Sequence, residues 1–131
     1  MALSEADQRS IIVAPGGVPP IGPYSHAVVA NGFVFVSGQG PIDPATGRAP
    51  DDFAGQVRQT MRNLATILEA AGSSLEDVVK MSCYLTDLTR FNEFNEVYRE
   101  FMPPGFPART TVATGLLGIL VEIDCIALRS D

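Results

Sequence analysis

The sequence predicts a single α+β domain with elements in the order β-β-α-β-α-β-β and two helices packed on one face of a sheet. Three observations support this. Strand-like apolar runs are bounded by Gly, Pro and Asn, two stretches repeat apolar residues every three or four positions, and two strand-like segments close the chain. At 131 residues and 46% hydrophobic content, the chain suits one ordinary core, so one domain over 1–131 is expected, with residues 1–8 frayed.

Segment 9–13, "RSIIV", can add a short first strand before "APGGVPPIGP", whose Pro and Gly prevent regular structure. "YSHAVVANGFVFVSG" predicts two strands around Asn31-Gly32, a pair suited to the φ > 0 positions of a type I′ hairpin turn. After the turn-rich "GPIDPATGRAPDD", Asp51 or Asp52 can cap a helix that runs to Ala71. Its stripe is Phe53, Val57, Met61, Leu64 and Leu68, and Gly72 suits the C-terminal cap. A strand over 78–86 follows. Asp87 or Thr89 then caps a second helix striped by Phe91, Phe94, Val97, Tyr98 and Phe101, which "PPG" at 103–105 ends. Asn95 falls on or beside that buried stripe and needs a partner there. The chain closes with "GFPARTTVATGLLGILVEIDCIAL", expected to be a hairpin whose strands carry Arg109 and Glu122 and meet at a tight "GLLG" turn.

Phe33, Val34, Phe35 and Val36 are all apolar, and the last strand is apolar on both faces, yet two helices can cover only one face of such a sheet. A second subunit in a closed homo-oligomer would cover the other.

Composition excludes several functions. Nine Lys and Arg against fifteen Asp and Glu give a net charge of −6 with no basic run, which argues against nucleic-acid binding. The N-terminus lacks a basic and then apolar leader, and no run approaches a membrane span, so a cytoplasmic address without a membrane partner is expected. One His, remote from both Cys, cannot build a His/Cys zinc set. "GQGPID" at 38–43 only imitates a dinucleotide loop, and "GLLG" at 115–118 lacks the basic flanks of an RNA clamp. Cys83 and Cys125 are expected to be reduced, buried thiols.

Few residues are left to carry chemistry. His26 fits a hydrogen-bonded structural role better than that of a general base. Tyr24, after a Gly-Pro pair, either reaches over a pocket or fills a core edge. Arg109 either grips a small carboxylate in bidentate fashion or pairs with Glu122 or Asp124 across the hairpin. Glu122 lies among apolar residues and Asp124 shares its parity; Glu122 is the better acid/base candidate because it is expected nearer the register of Arg109 and Thr111, with Asp124 bonding backbone or a neighbouring subunit.

The blocks "IGPYSHAV" at 21–28, "VFVSGQGPIDPATG" at 34–47, "NLATILEAAGSSLEDVVK" at 63–80, and "FPARTTV" followed by "VEIDCIA" occur in the order of the RidA/YjgF family of reactive-intermediate (enamine/imine) deaminases. The chain resembles that family over residues 11–129. The resemblance implies a chorismate-mutase-like protomer in a homotrimer, with its sheets around the threefold axis and its pockets at subunit interfaces. It also implies hydrolysis of 2-aminoacrylate and related 2-imino acids to 2-oxo acids, without metal or organic cofactor. By the same resemblance Arg109 binds the substrate carboxylate and Glu122 orients and deprotonates water, while Tyr24, Ser37 with Gly38, Asn95 and the backbone of Thr111 line the pocket. A non-catalytic 2-oxo acid binder or holdase-like protein is the alternative, and ribonuclease activity conflicts with the acidic balance. Thr111 stands where many members carry Cys, and segment 112–122 is short and apolar for the family, which would open the pocket mouth to bulkier or more apolar imines.

Overall fold

The structure is a computed structural model that describes residues 8–130; the fraying expected for 1–8 therefore falls outside the described residues except at Gln8, which is exposed. The chain runs β1 (Ser10–Ile12), β2 (Ala27–Ala30), β3 (Phe33–Gln39), α1 (Phe53–Ala70), β4 (Val78–Leu85), α2 (Phe91–Phe101), β5 (Ala108–Ala113) and β6 (Val121–Leu128). The expected order holds, and the N-terminal strand is present. The strands form one six-stranded sheet, β1-β2-β3-β6-β4-β5, in which β4 and β5 are parallel and the other pairs antiparallel.

Local chemistry fixes the element ends. Asn31 (φ 51°) and Gly32 (φ 80°) make the tight turn that pairs Ala30 with Phe33. The Asp52 carboxylate accepts the Gly55 N–H at 2.9 Å and caps α1. At the other end Gly72 (φ 79°) lets the Ser73 N–H reach the Leu68 carbonyl at 2.8 Å and its own N–H reach Glu69, a Schellman closure. Asp87 accepts the Thr89 N–H and opens the short 3-10 turn that feeds α2.

Both helices lie on one face. Val57, Met61, Leu64 and Leu68 of α1 and Phe94, Val97 and Tyr98 of α2 are buried against Val34, Val36, Met81, Leu85, Val121 and Ile123. Removing these side chains from water supplies the main driving force for the fold. Cys83 and Cys125 lie in the same layer as free thiols, both pushed up to about 12, chiefly by burial, so they pack as protonated apolar groups. On the opposite face Ile11, Phe33, Phe35 and Leu128 are exposed, and the strand registers align them across β1, β2, β3 and β6. No helix among the described residues is long and apolar enough to cross a membrane.

The closing hairpin is corrected. β5 and β6 are not neighbours, because β4 lies between them, parallel to β5 and antiparallel to β6. Helix α2 makes a crossover that returns the chain parallel to β4, and segment 114–120 then passes over the end of β4 to its other side. Both ends of that segment are tied to this strand end: the Thr114 N–H donates to the Leu85 carbonyl at 2.9 Å and the Thr86 N–H to the Leu120 carbonyl at 3.2 Å. "GLLG" does turn, with Gly118 at φ 73°, but the strands it connects are not paired.

Candidate functional site

Strand register separates the two residues expected to act together. Arg109 is level with Met81 on β4, and Glu122 with Tyr84. Met81 is buried beneath the helices and Tyr84 lies on the other face, so the alternation of β4 puts Arg109 and Glu122 on opposite faces of one sheet. An ion pair between them across a hairpin is therefore not formed. Among the described residues the ion pairs are Arg58–Glu100 and Arg90–Glu93.

Arg109 sits on the edge strand under α2. Its Nη2 donates to Asn95 Oδ1 at 2.8 Å, which is the partner Asn95 needed. The guanidinium carbon lies 4.8 Å from the Tyr98 ring centre, 5.3 Å from Phe94 and 5.5 Å from Phe91, within cation–π range of all three. The i, i+3, i+4, i+7 spacing of Phe91, Phe94, Asn95 and Tyr98 places these groups on one side of α2. Arg109, Asn95, Tyr98 and Phe106 line a cavity of about 230 Å³. The Tyr98 hydroxyl is buried without a hydrogen-bond partner among the described residues, and burial pushes the phenol up to about 12, so it stays protonated. Thr111 is two residues along on the same face, level with Cys83, and its hydroxyl is buried beside the Cys83 thiol.

Glu122 belongs to a second cavity, of about 510 Å³, at the end of the sheet, where Tyr24, Gly38, Ile21, Leu116, Leu117 and Ile119 surround it. An irregularity in β3 between Val36 and Gln39 aims Gly38 at the carboxylate: a Cβ there would lie 2.8 Å from Glu122 Oε2. Any side chain at this position would have to push the carboxylate aside. The Tyr24 hydroxyl accepts the Ile21 N–H at 3.2 Å and braces the loop over the cavity. Ser37 does not line this cavity; its hydroxyl is committed to the Ser25 carbonyl at 2.6 Å. Asp124 accepts from the Tyr84 hydroxyl at 2.9 Å, a bond that raises the phenol above its ordinary range.

His26 is a strut. Its Nδ1 accepts the Ala14 N–H at 2.9 Å and its Nε2 donates to the Val18 carbonyl at 2.7 Å, which fixes the loop before β2. Two further polar groups were not singled out from the sequence. Gln56 and Asn63 are buried on α1 and bond loop backbone around the second cavity, and their only sequence signal is a pair of amides beside the apolar stripe. Among the described residues no three of His, Cys, Asp and Glu come together in a way that could hold a metal ion.

The chain thus carries a cation ledge and a carboxylate hollow that do not face each other. Comparison with known proteins gives a consistent match. The profile of a family described as Endoribonuclease L-PSP matches residues 16–129. A RutC family protein of Pyrococcus horikoshii is 44% identical over 92% of this chain and 98% of its own. A protein of Escherichia coli named "Putative reactive intermediate deaminase TdcF" is 40% identical over 89% of this chain and 92% of its own. The crystal structure of E. coli TdcF with bound serine superposes with a TM-score of 0.86 at 38% identity, covering 92% of this chain and 99% of that one. RidA from the Antarctic bacterium Psychrobacter superposes with a TM-score of 0.87 at 37% identity, covering 91% and 98%.

Proposed function

The chain belongs to the Endoribonuclease L-PSP family, the RidA/YjgF group, and we propose that it hydrolyses reactive 2-imino and 2-enamino acids to 2-oxo acids and ammonia in sites completed by two copies of the chain. One observation carries this reading. Arg109 is held by Asn95 and three aromatic rings beside a small cavity, and no carboxylate of the chain pairs with it among the described residues. A guanidinium so placed suits a ligand carboxylate in bidentate geometry. The serine bound in TdcF is a small molecule with such a carboxylate, which supports the substrate class.

The chemistry asks little of the protein. Arg109 and Asn95 of one copy hold the substrate carboxylate, and Glu122 of the next takes a proton from water as the water oxygen bonds to C2 of the imine. The carbinolamine that results has gained a C–O bond while the C=N π pair has moved to nitrogen. Glu122 returns the proton to nitrogen, then carries the hydroxyl proton to nitrogen as well, so that the C–N bond breaks with its electron pair on nitrogen, ammonia leaves, and the C–O bond becomes the carbonyl of the 2-oxo acid. Positioning and proton transfer are the whole demand. Tyr24 and the Gly38 backbone bound the water side, and Thr111 offers its backbone beside Arg109.

Because the two residues lie on opposite faces, the reading requires an oligomer. The exposed row of Ile11, Phe33, Phe35 and Leu128 is the surface a homotrimer would bury around its axis. Light scattering at dilute concentration should return three times the chain mass, and Phe35→Lys should return a monomer. Activity is tested by generating imines with an amino-acid oxidase in the presence of semicarbazide. Wild type should divert imine from semicarbazone to 2-oxo acid, and Arg109→Ala should not; equal rates for the two proteins remove Arg109 from this role.

The Arg109 cage alone would also suit a non-catalytic 2-oxo acid binder. Tight 2-oxo acid binding with no faster imine loss would favour that reading. RNA cleavage, suggested by the family's description, is opposed by nine basic against fifteen acidic residues.

A further inference from the structure

We propose that His26 is a positioning residue for the Glu122 hollow: its neutral ring clamps the loop that walls the hollow, and a proton on the ring opens the clamp. The effect on turnover rests on the hydrolase reading above, whereas the clamp itself does not.

The loop has little else to hold it. Segment 14–20 contains Pro15, Pro19 and Pro20, which have no N–H to give, and the bond it makes within itself runs from the Gly17 N–H to the Ala14 carbonyl at 2.9 Å. Among the described residues its hydrogen bonds to the rest of the chain are the two made by His26, from the Ala14 N–H to Nδ1 at 2.9 Å and from Nε2 to the Val18 carbonyl at 2.7 Å. The base of the clamp is fixed. Ser37 donates its N–H to the His26 carbonyl at 3.0 Å and its hydroxyl to the Ser25 carbonyl at 2.6 Å, which ties this end of the loop to β3.

The bonds also set the proton. A backbone N–H can only donate, so Nδ1 must accept, and the single proton of the neutral ring lies on Nε2. Protonation would place a second N–H on Nδ1, facing that of Ala14. Two donors then meet, the bond is lost, and the amide of buried Ala14 is left without its acceptor. The Val18 bond survives, but the loop is held at one point rather than two. Histidine is the side chain that makes this change between about pH 8 and pH 5. Around the ring, the groups able to titrate are Glu122 from β6 and Tyr24 from the loop, which line the same hollow. From β3 come Gly38 and Gln39, and from α1 Thr66 beside Gly16, none of which titrates. Both ring nitrogens are taken by backbone, so neither Glu122 nor Tyr24 bonds the ring.

The clamp reaches the site through the loop. Val18, Pro19, Pro20 and Ile21 run from it along the wall of the hollow, and the Ile21 N–H is bonded to the Tyr24 hydroxyl at 3.2 Å. Freeing the Ala14 end loosens this brace over Glu122, so turnover should fall on the acid side of neutrality.

Protection of the Ala14 amide against hydrogen exchange, read by NMR and corrected for the intrinsic pH dependence of exchange, is compared at about pH 7.5 and about pH 5.5, either side of the ordinary histidine value of about 6.5. In wild type it should fall by about tenfold, the charged-to-neutral ratio of a histidine one unit below that value. His26→Gln keeps an acceptor and a donor but cannot titrate, and His26→Ala has neither. Protection should be independent of pH in both and higher in His26→Gln. Unchanged protection in wild type, or a fall that either variant repeats, overturns the proposal. Over the same interval, kcat/KM for imine hydrolysis, corrected for the reaction without protein, should fall about tenfold more in wild type than in His26→Gln, since Glu122 titrates in both. Parallel profiles would remove His26 from a positioning role while leaving the hydrolase reading intact. If no imine is hydrolysed at either pH, the hydrolase reading fails and the exchange comparison decides the clamp by itself.

Discussion

Arg109 stands on a crowded aromatic ledge, whereas Glu122 stands beside a roomy aliphatic hollow. The cation is fixed by what surrounds it: rings at 4.8 to 5.5 Å and one amide at 2.8 Å. The carboxylate owes its place to what is missing, the side chain that Gly38 lacks. The ledge suits recognition of an anion, because a guanidinium already oriented by three rings and an amide loses little freedom on binding. The hollow suits a reaction, because it leaves room for water and a substituent beside an acid. On the proposed reading neither is a complete site, because the sheet separates them, and a second copy would supply the missing half.

Variants can break this contrast. The largest effect is expected from Glu122→Gln, which should lower kcat/KM by roughly 10²–10⁴ and yet leave 2-oxo acid binding close to wild type by calorimetry, since the ledge is untouched. Binding lost together with rate would mean that the two halves do not divide the work. A smaller effect is expected from Gly38→Ala. Its methyl would displace the Glu122 carboxylate and should cost about tenfold to a hundredfold, mainly in kcat, in line with the roughly 10²-fold cost of a misplacement near 1 Å. Unchanged steady-state kinetics would remove the close approach from the account. The smallest is Asp52→Ala. Loss of the α1 cap should lower stability by about 1 kcal/mol in urea unfolding with kcat/KM unaltered, which separates weakening of the fold from damage to either half.

Much of the fold was legible because local chemistry specifies it. Asn31-Gly32 fixed one hairpin, Asp52 and Gly72 bounded α1 within a residue, and the doubly apolar "FVFV" gave away an uncovered face. Strand order was not legible. Nothing in "ARTTVA" alternates in polarity, since the half-buried positions of this edge strand are Arg109 and Thr111 rather than apolar residues, so neither its partner nor the side on which Arg109 emerges could be read. The turn residues of "GLLG" suggested a hairpin, although the same residues serve a segment that crosses the end of β4. Arg109 and Glu122 were found as types in context, and Asn95 as an amide in want of a partner. The proximity of Gly38 to Glu122 depends on an irregularity in β3 that leaves no sequence signature, and the roles of Gln56 and Asn63 depend on loops far away in the chain.

The most direct test of the two-copy site mixes two inactive variants. Arg109→Ala and Glu122→Ala chains, unfolded together at equal amounts and refolded, should form hybrids in which a site between an intact Arg109 and a neighbour's intact Glu122 reappears. Random assembly in a closed ring restores about a quarter of wild-type activity per site, while each variant refolded alone stays inactive. Hybrids confirmed by mass but with no recovered activity would contradict the account, since that is the result expected if both residues had to come from one chain.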